Sequence, residues 1–488
     1  MRFECLLEKA RGLAVGLLEP PLDEQRRILD HTTQAVVTHA SAAESLRVAP
    51  VVTPEVVRDL LAGLAVDDPM EATDAVDLCV RLLTEGIVHV TSPSYFGLFN
   101  PTPAFMGIVG DLLTAAFNPQ LAAWSHAPAA AEVEAWLVRY LAERLGVTGP
   151  VAGSFTSGGA EANAQAMHLA MTRAAPAFGD RGVRGLDMTP VMYASEQSHD
   201  TWFKIAHVCG IGREAVRLVP IGADLCMVPD ALDEMITRDV SAGLDPVLVV
   251  ATAGTTSAGV IDPLGAAVDI ARRHGAWSHV DAAWGGAAAL SDTLRPHLRG
   301  IETADSVSVD AHKWLSVPMG AGMFVTRHPD VLAATYRIST NYMPALVESA
   351  ADPYTTSNQW SRRFIGLKLF LPLLTVGRSG YAAQIERDCT HADVLRRRLI
   401  ASGWQIVNTT VLPVVCIADP DRPDDTGHHQ RMVDTIVASG RAWLSVTRLA
   451  HRPAIRICIT SHRTTQRHID ELAGLLDEVR QGASASAT

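Results

Sequence analysis

"PVLVVATAGTTSAGVIDPLGAAVDIARRHGAWSHVDAAWGG", residues 246–286, decides the fold. A short apolar run (PVLVVATAG) leads to a helix-period segment closed by glycine (LGAAVDIARRHG), and a second apolar run (WSHVDAA) follows. Strand, helix, strand implies a parallel pair with a crossover, since parallel strands need a long connection rather than a tight turn. The pattern extends in both directions. VMYAS (191–195), AVRLVPI (215–221), SVSVDAH (306–312) and AGMFVT (321–326) read as strands, and PDALDEMITRDVSAG (229–243) as another crossover helix. The expectation is an α/β fold, a mainly parallel sheet flanked by helices, with ligands at the carboxyl ends of its strands.

Around this centre the chain divides. Residues 1–85 read as a helical segment, since DEQRRILDHTTQAVVTHASAA and TDAVDLCVRLLTEG repeat apolar positions at helical spacing. Residues 86–355 form the large α/β domain, which includes the ordered-loop stretch TSPSYFGLFNPTP and the helix AAAEVEAWLVRYLAERLG ending at Gly146. Residues 356–481 read as a small C-terminal α+β domain: helices in RRFIGLKLFLPLL and YAAQIERDCTHADVLRRRLIASG, strands in TVLPVVCIA and PAIRICIT, and a last helix through IDELAGLLDEVR. Residues 482–488 are expected to be a disordered tail.

Composition narrows the function. Lys and Arg number 41 against 53 Asp and Glu, so the formal net charge is 41 − 53 = −12. Nucleic acids and anionic membranes both select basic surfaces, so neither is expected as a partner. Seven scattered cysteines, none in a CxxC pair, suggest neither a disulfide framework nor a zinc site, and no metal is expected. Glu4 and Glu8 precede the apolar N-terminal patch, unlike the basic start of a signal peptide. No apolar run approaches the roughly 18 residues that span a bilayer. A cytoplasmic location is expected.

Four segments near strand ends carry chemistry. GSFTSGGAEANAQAM (153–167) is either an ordinary turn into a helix or an anion cradle, because glycines let backbone amides approach and the helix start favours negative charge. It lacks the P-loop pattern. Asp281 in VDAAWGG is either a cap or a counter-charge for a pyridinium nitrogen. His199 is either a hydrogen-bonded structural residue or a ring that stacks on a flat cofactor and moves protons. Lys313 in SVDAHKWL (308–315) is either an ion-pair partner or a desolvated nucleophile toward carbonyls. Together the functional readings describe one site, for pyridoxal 5′-phosphate.

The chain resembles the group II pyridoxal-phosphate-dependent amino-acid decarboxylases, relatives of aromatic-L-amino-acid and glutamate decarboxylases. The motifs are TSGGAEAN (156–163), SEQSHDTWFKIA (195–206), ATAGTTSAGVIDPL (251–264), HVDAAWGG (279–286) and DAHKWL (310–315), in a span from about residue 90 to the C-terminal strand. The resemblance implies the fold-type I (aspartate-aminotransferase-like) architecture and a homodimer with its active site at the interface. It implies that Lys313 holds the cofactor, Asp281 pairs with the ring nitrogen, Ala283 packs on the ring, His199 stacks on the opposite face, and Thr252 sits near the 3-hydroxyl. Gly158, Gly159 and Ala160 would offer amides to the phosphate, with Ser308, Asp310 and His312 nearby. Many relatives have serine at the Ala160 position and proline at the Ala311 position.

The same resemblance implies an L-amino-acid decarboxylase releasing amine and carbon dioxide, with a loop tyrosine, Tyr354 or Tyr342, returning a proton to the α-carbon. Tyr95, Phe96, Phe99 and Trp124 match the region lining the family's substrate pocket, where an aromatic or other apolar side chain would fit; core packing would look the same. Arg456 matches an arginine that meets a substrate carboxylate in the glutamate branch, and a structural ion pair is the alternative. Oxidative decarboxylation–deamination to an aldehyde is the competing chemistry, followed by transamination or carbon–carbon lysis. A cofactor-binding regulator is the non-enzyme alternative, and it leaves the set of Lys313, Asp281 and His199 without a purpose.

Overall fold

The computed structural model describes residues 18–65, 67–338 and 352–485. It separates into two compact units: residues 1–95 with 437–443, and residues 96–436 with 444–488. The first unit contains the helices Leu22–Ala42, Pro54–Ala62 and Ala72–Glu85. The middle one starts as sequence chemistry dictates, with Pro54 in its first turn and the Thr53 side chain accepting from the Val56 amide. Arg27 ties the outer two by reaching Glu24 on its own helix and Glu71 just before the third, each at 2.6 Å. None of the three buries a residue, although each has an apolar stripe; Leu29, Val56 and Leu83 all face solvent.

The second unit is built on a seven-stranded sheet: β1 (Ala152–Thr156), β2 (Pro190–Ser195), β3 (Val216–Val219), β4 (Asp245–Thr252), β5 (Trp277–Asp281), β6 (Ser306–Asp310) and β7 (Gly322–Thr326). Their order is β1-β7-β6-β5-β4-β2-β3. Only β7 runs against its neighbours, so the sheet is mainly parallel as expected. β5, β6 and β7 are buried at every position, and the polar residues of WSHVD and SVSVD are buried with their apolar neighbours. The crossover helices Pro229–Ser241 and Leu264–Arg273 fall where the periodicity puts them. β1 is one strand that the apolar pattern does not announce, because AGSFT is short and half made of small residues.

A second, antiparallel sheet of four strands follows: β8 (Gln405–Ile406), β9 (Val414–Ala418), β10 (Ser445–Leu449) and β11 (Arg452–Cys458), in the order β10-β11-β9-β8. The two helices expected between residues 362 and 403 run as Leu367–Ala401, broken at Gly377, whose φ of 70° few other residues adopt. The last helix, Gln466–Ala485, continues into the stretch expected to be a tail, because GASA is a tolerable helix end; residues 486–488 lie outside the described residues.

Several helices are not announced by the sequence pattern, among them Thr201–Val208, Pro329–Tyr336, Thr426–Ser439 and Phe105–Phe117. Phe105–Phe117 turns Gly107, Gly110 and Thr114 inward and lies so close to Leu367 and Lys368 that a Cβ on Gly110 would meet the Lys368 Cα at 2.9 Å. Its other face carries Phe105, Leu112 and Phe117 into solvent, Phe117 with 82% of its surface exposed. Among the described residues no helix is long and apolar enough to cross a membrane.

Candidate active site

Strand register gathers the expected residues along one edge of the sheet. Thr252 ends β4 opposite Asp281, which ends β5 opposite Ser308; Asp310 ends β6 opposite Gly322, and Gly322 faces Thr156 at the end of β1. Lys313 and His312 lie in the turn after β6, and the glycine-rich turn follows β1. His199 follows β2, and its neighbour Ser198 bonds the Thr252 hydroxyl at 3.0 Å. This is the carboxyl end of the parallel strands, where an open α/β sheet binds its ligands.

The glycine-rich turn is shaped by exclusion. Gly158 precedes the helix Gly159–Ala174. A Cβ on Gly159 would lie 2.8 Å from Asp310 Oδ2 and 3.2 Å from the Ala283 methyl, so a side chain there would displace the turn after β6. A Cβ on Gly322 would strike Thr156 Oγ1 at 2.4 Å and the Gly158 backbone at 2.7 Å. The helical ladder begins with Glu161 and Ala162 donating to the Gly158 carbonyl, which leaves the amides of Gly159 and Ala160 at an electropositive helix start. Glu161 closes the turn by accepting from the Ser157 amide and from Gln359.

Lys313 is paired rather than desolvated. Its Nζ lies 3.0 Å from Asp310 Oδ2 with about a quarter of the side chain exposed, while Asp310 is buried and its Oδ1 has no hydrogen-bond partner. The strand Ser306–Asp310 is buried throughout; beyond Asp310 the chain turns, and the long side chain of Lys313 folds back to meet the carboxylate. His312 is buried, and its Nδ1 accepts from the Ala321 amide. Burial holds its pKa below the ordinary histidine value, so the neutral ring keeps its proton on Nε2.

Asp281 is buried, and it accepts from Asn163 Nδ2 at 2.7 Å and from the Ala283 amide at 3.1 Å; Ser308 Oγ stands 3.4 Å away, with its one hydroxyl hydrogen given to Asn163 Oδ1 at 2.7 Å. Both donors are neutral. Asn163 in turn accepts on Oδ1 from Ser308 Oγ and from His279 Nε2. Neither Asn163 nor His279 was singled out from sequence. A period of two carried the signal: Trp277, His279 and Asp281 share one face of β5, and Ser306, Ser308 and Asp310 one face of β6.

These features fit pyridoxal phosphate. A buried carboxylate with neutral donors only suits a cationic ring nitrogen. A helix start lined by glycines suits a phosphate, and a lysine held at the strand end suits an aldehyde. His199 is exposed, with Nδ1 accepting from the Thr201 amide, so Nε2 and the ring face are open.

The other expected residues are packed. Phe96 is buried, and Phe99 lies in the main core with its ring 4.2 Å from Trp284 and nearly parallel. Arg456 is buried with its guanidinium on the carbonyls of Thr256 and Gly97, and on no carboxylate among the described residues. Trp124 donates its indole N–H to Glu132. Tyr95, in the first unit, stacks on Trp443. Tyr354 is buried with its ring 4.9 Å from Trp360. Tyr342 lies outside the described residues.

Trp314, next to Lys313, donates its indole N–H to the buried Asp388, which also accepts from Gln384. Burial pushes the Asp388 pKa up to about 7. Because the folded value exceeds the unfolded one, the folded chain binds the extra proton between about pH 4 and 7, and stability falls as pH rises through that window. Asp388→Asn carries no charge to bury. Its melting temperature relative to wild type should therefore rise from pH 5 to pH 8; a difference independent of pH would refute the assignment.

The chain belongs to the pyridoxal-dependent decarboxylase family, whose conserved-domain description matches residues 54–418. It is 28% identical over 475 residues to tryptophan decarboxylase 2 of Oryza sativa subsp. japonica, covering 93% of this chain and 95% of that protein. It is 26% identical over 483 residues to phenylacetaldehyde synthase of Arabidopsis thaliana, covering 95% and 97%. Among solved structures, Oryza sativa TDC with PLP and tryptamine matches with a TM-score of 0.89 at 26% identity, over 95% of this chain and 99% of that one. Mouse CSAD matches at 0.88 and 25%, over 94% and 99%. The protein is thus a fold-type I, pyridoxal-phosphate-dependent carboxy-lyase acting on an amino acid.

Proposed function

We propose that this enzyme decarboxylates an aromatic L-amino acid to its amine, with Lys313 holding the cofactor and Asp281 meeting its ring nitrogen. The observation that carries the site reading is the buried Asp281 carboxylate, bonded to neutral donors and to no cation among the described residues. The aromatic preference rests on the likeness to tryptophan and tyrosine decarboxylases along nearly the whole chain.

Pyridoxal phosphate, when bound, supplies an aldehyde that captures an amine and a ring that accepts the electron pair left as carbon dioxide departs. The protein's own groups do the rest. Asp281 keeps the ring nitrogen protonated, so the ring remains an electron acceptor. Asp310 holds Lys313 Nζ at the strand end and takes up its positive charge. The amides of Gly159 and Ala160 with His312 Nε2–H would hold the phosphate, Ala283 and His199 would pack on the ring, and Ser308 braces Asp281 through Asn163. Thr252, oriented by Ser198, would contact the cofactor near its 3-hydroxyl. Tyr354 returns the proton to the α-carbon. Phe96, Phe99 and Trp124 act by packing behind the substrate, and Arg456 by holding the Gly97 and Thr256 carbonyls in place.

A second reading, oxidative decarboxylation–deamination, has two observations in its favour: the likeness to 4-hydroxyphenylacetaldehyde synthase of Rhodiola rosea and the packing of Tyr354 against Trp360. A panel of amino acids assayed for carbon dioxide, amine, aldehyde and peroxide separates the two. The expected result is amine from tryptophan, tyrosine or phenylalanine without peroxide, and diversion to aldehyde in Tyr354→Phe. Peroxide in step with product in the wild type would overturn the decarboxylase reading.

The enzyme is proposed to work as a homodimer. The uncovered apolar face of the helix Phe105–Phe117 supports this, because a second copy can cover it. Sedimentation as a monomer at micromolar concentration would contradict it.

A further inference from the structure

We propose that Trp277, Ser306, His279 and Asn163 form a one-way hydrogen-bond relay ending on Asp281 Oδ2, with Asn163 and His279 as positioning residues for that carboxylate. The inference rests on the reading of Asp281 as the ring-nitrogen partner, and adds how an isolated anion is held ready inside the protein. Trp277 Nε1 lies 2.8 Å from Ser306 Oγ, Ser306 Oγ 2.8 Å from His279 Nδ1, His279 Nε2 3.0 Å from Asn163 Oδ1, and Asn163 Nδ2 2.7 Å from Asp281 Oδ2. Every member is buried, on β5, on β6 or on the helix behind the glycine-rich turn.

The two ends fix the direction. An indole N–H only donates and a carboxylate only accepts. Asn163 must therefore turn its NH₂ to Asp281 and its oxygen to His279. That oxygen needs a donor, so His279 carries its proton on Nε2. Burial pushes the His279 pKa down to about 4, so the ring is neutral and Nδ1 accepts from the Ser306 hydroxyl. The Ser306 oxygen is then free to accept from Trp277. Ser308 adds a second donor on Asn163 Oδ1 at 2.7 Å.

Aligned donors polarise one another, and the last bond, to a carboxylate, is the strongest of the chain. The relay stabilises the Asp281 anion without neutralising it. An arginine or lysine in the same place would hold the carboxylate as firmly but compete with the ring nitrogen for its charge.

Neutron diffraction from deuterated holoenzyme tests the direction. Deuterons are expected on His279 Nε2 and on Ser306 Oγ pointing at His279 Nδ1; a deuteron on His279 Nδ1 overturns the relay. Cofactor affinity, from titration of the apoprotein, tests the role. Asn163→Ala and His279→Phe should bind pyridoxal phosphate about 10–100-fold more weakly, the scale outer partners carry around metal ligands. His279→Gln, whose amide N–H can still donate to Asn163, should recover most of that loss. Equal affinity in His279→Phe and His279→Gln, or Asn163→Ala within twofold of wild type, would overturn the role. Asp281→Ala separates the two ideas. If it binds like wild type, the ring-nitrogen reading falls; if it is impaired while Asn163→Ala is not, the relay alone falls. Should the core variants not fold, the neutron map decides.

Discussion

Lys313→Ala is expected to remove the yellow Schiff-base absorption and to lower kcat/KM by about 10⁴-fold or more, the scale on which loss of a covalent nucleophile registers. Two effects are mixed in that substitution. Nζ is the group proposed to capture the aldehyde, and it is also the cation that compensates the buried Asp310 carboxylate at 3.0 Å. Stripping a partner from a buried ion pair costs about 3–5 kcal/mol, and the partial exposure of Lys313 brings the figure below that range. A colourless, inactive Lys313→Ala protein could therefore be dismissed as a misfolded one. The double variant Lys313→Ala/Asp310→Asn separates the effects, because the amide needs no counter-cation. Its melting temperature should recover toward wild type while absorption and activity remain lost. Restored activity in the double variant, or an unchanged absorption band in the single one, would refute Lys313 as the attachment point.

The dual part played by Lys313 also shows what the sequence could and could not disclose. The strands leading to Thr252 and Asp310 were legible because a sheet buried on both faces selects apolar residues, as a continuous run in DPVLVVAT and as valines alternating with small serines in SVSVD. The residues at their ends were legible because polar groups there interrupt that selection. β1 was not, since AGSFT carries too little apolar surface to stand out, although it supplies the strand before the glycine-rich turn. The helix Phe105–Phe117 was overlooked for a related reason. Its inward face is Gly107, Gly110 and Thr114, and its large apolar residues point outward, so the pattern reads as hydrophobic without a direction. Asn163 lay inside a quoted motif, but its partner His279 is 116 residues away, and only the fold brings their side chains together. The Lys313–Asp310 pair is local in sequence, yet spacing alone did not show that the turn after β6 would bring Nζ back onto the carboxylate.

Asp281→Ala should lower kcat by at least about 10³-fold, or about 4 kcal/mol in the barrier, more than a single hydrogen-bond donor is commonly worth. Without the carboxylate, nothing among the described residues around it supplies a negative charge to hold a proton on the ring nitrogen, and an uncharged pyridine is a poor acceptor for the electron pair released with carbon dioxide. The polarity of the site makes the effect one of charge rather than of space. The donors left behind, Asn163 Nδ2 and the Ala283 amide, would face the ring nitrogen with hydrogens and favour its unprotonated form. A permanently cationic cofactor tests this. Reconstituting Asp281→Ala with N-methylated pyridoxal phosphate, whose methyl group fits the space the carboxylate vacates, should restore at least tenfold of the lost rate. The same cofactor should do nothing for Lys313→Ala, where the defect is attachment and not ring charge. If N-methylation rescues neither variant, or if Asp281→Ala keeps wild-type turnover, the carboxylate is structural and the buried negative charge at the end of β5 has another purpose.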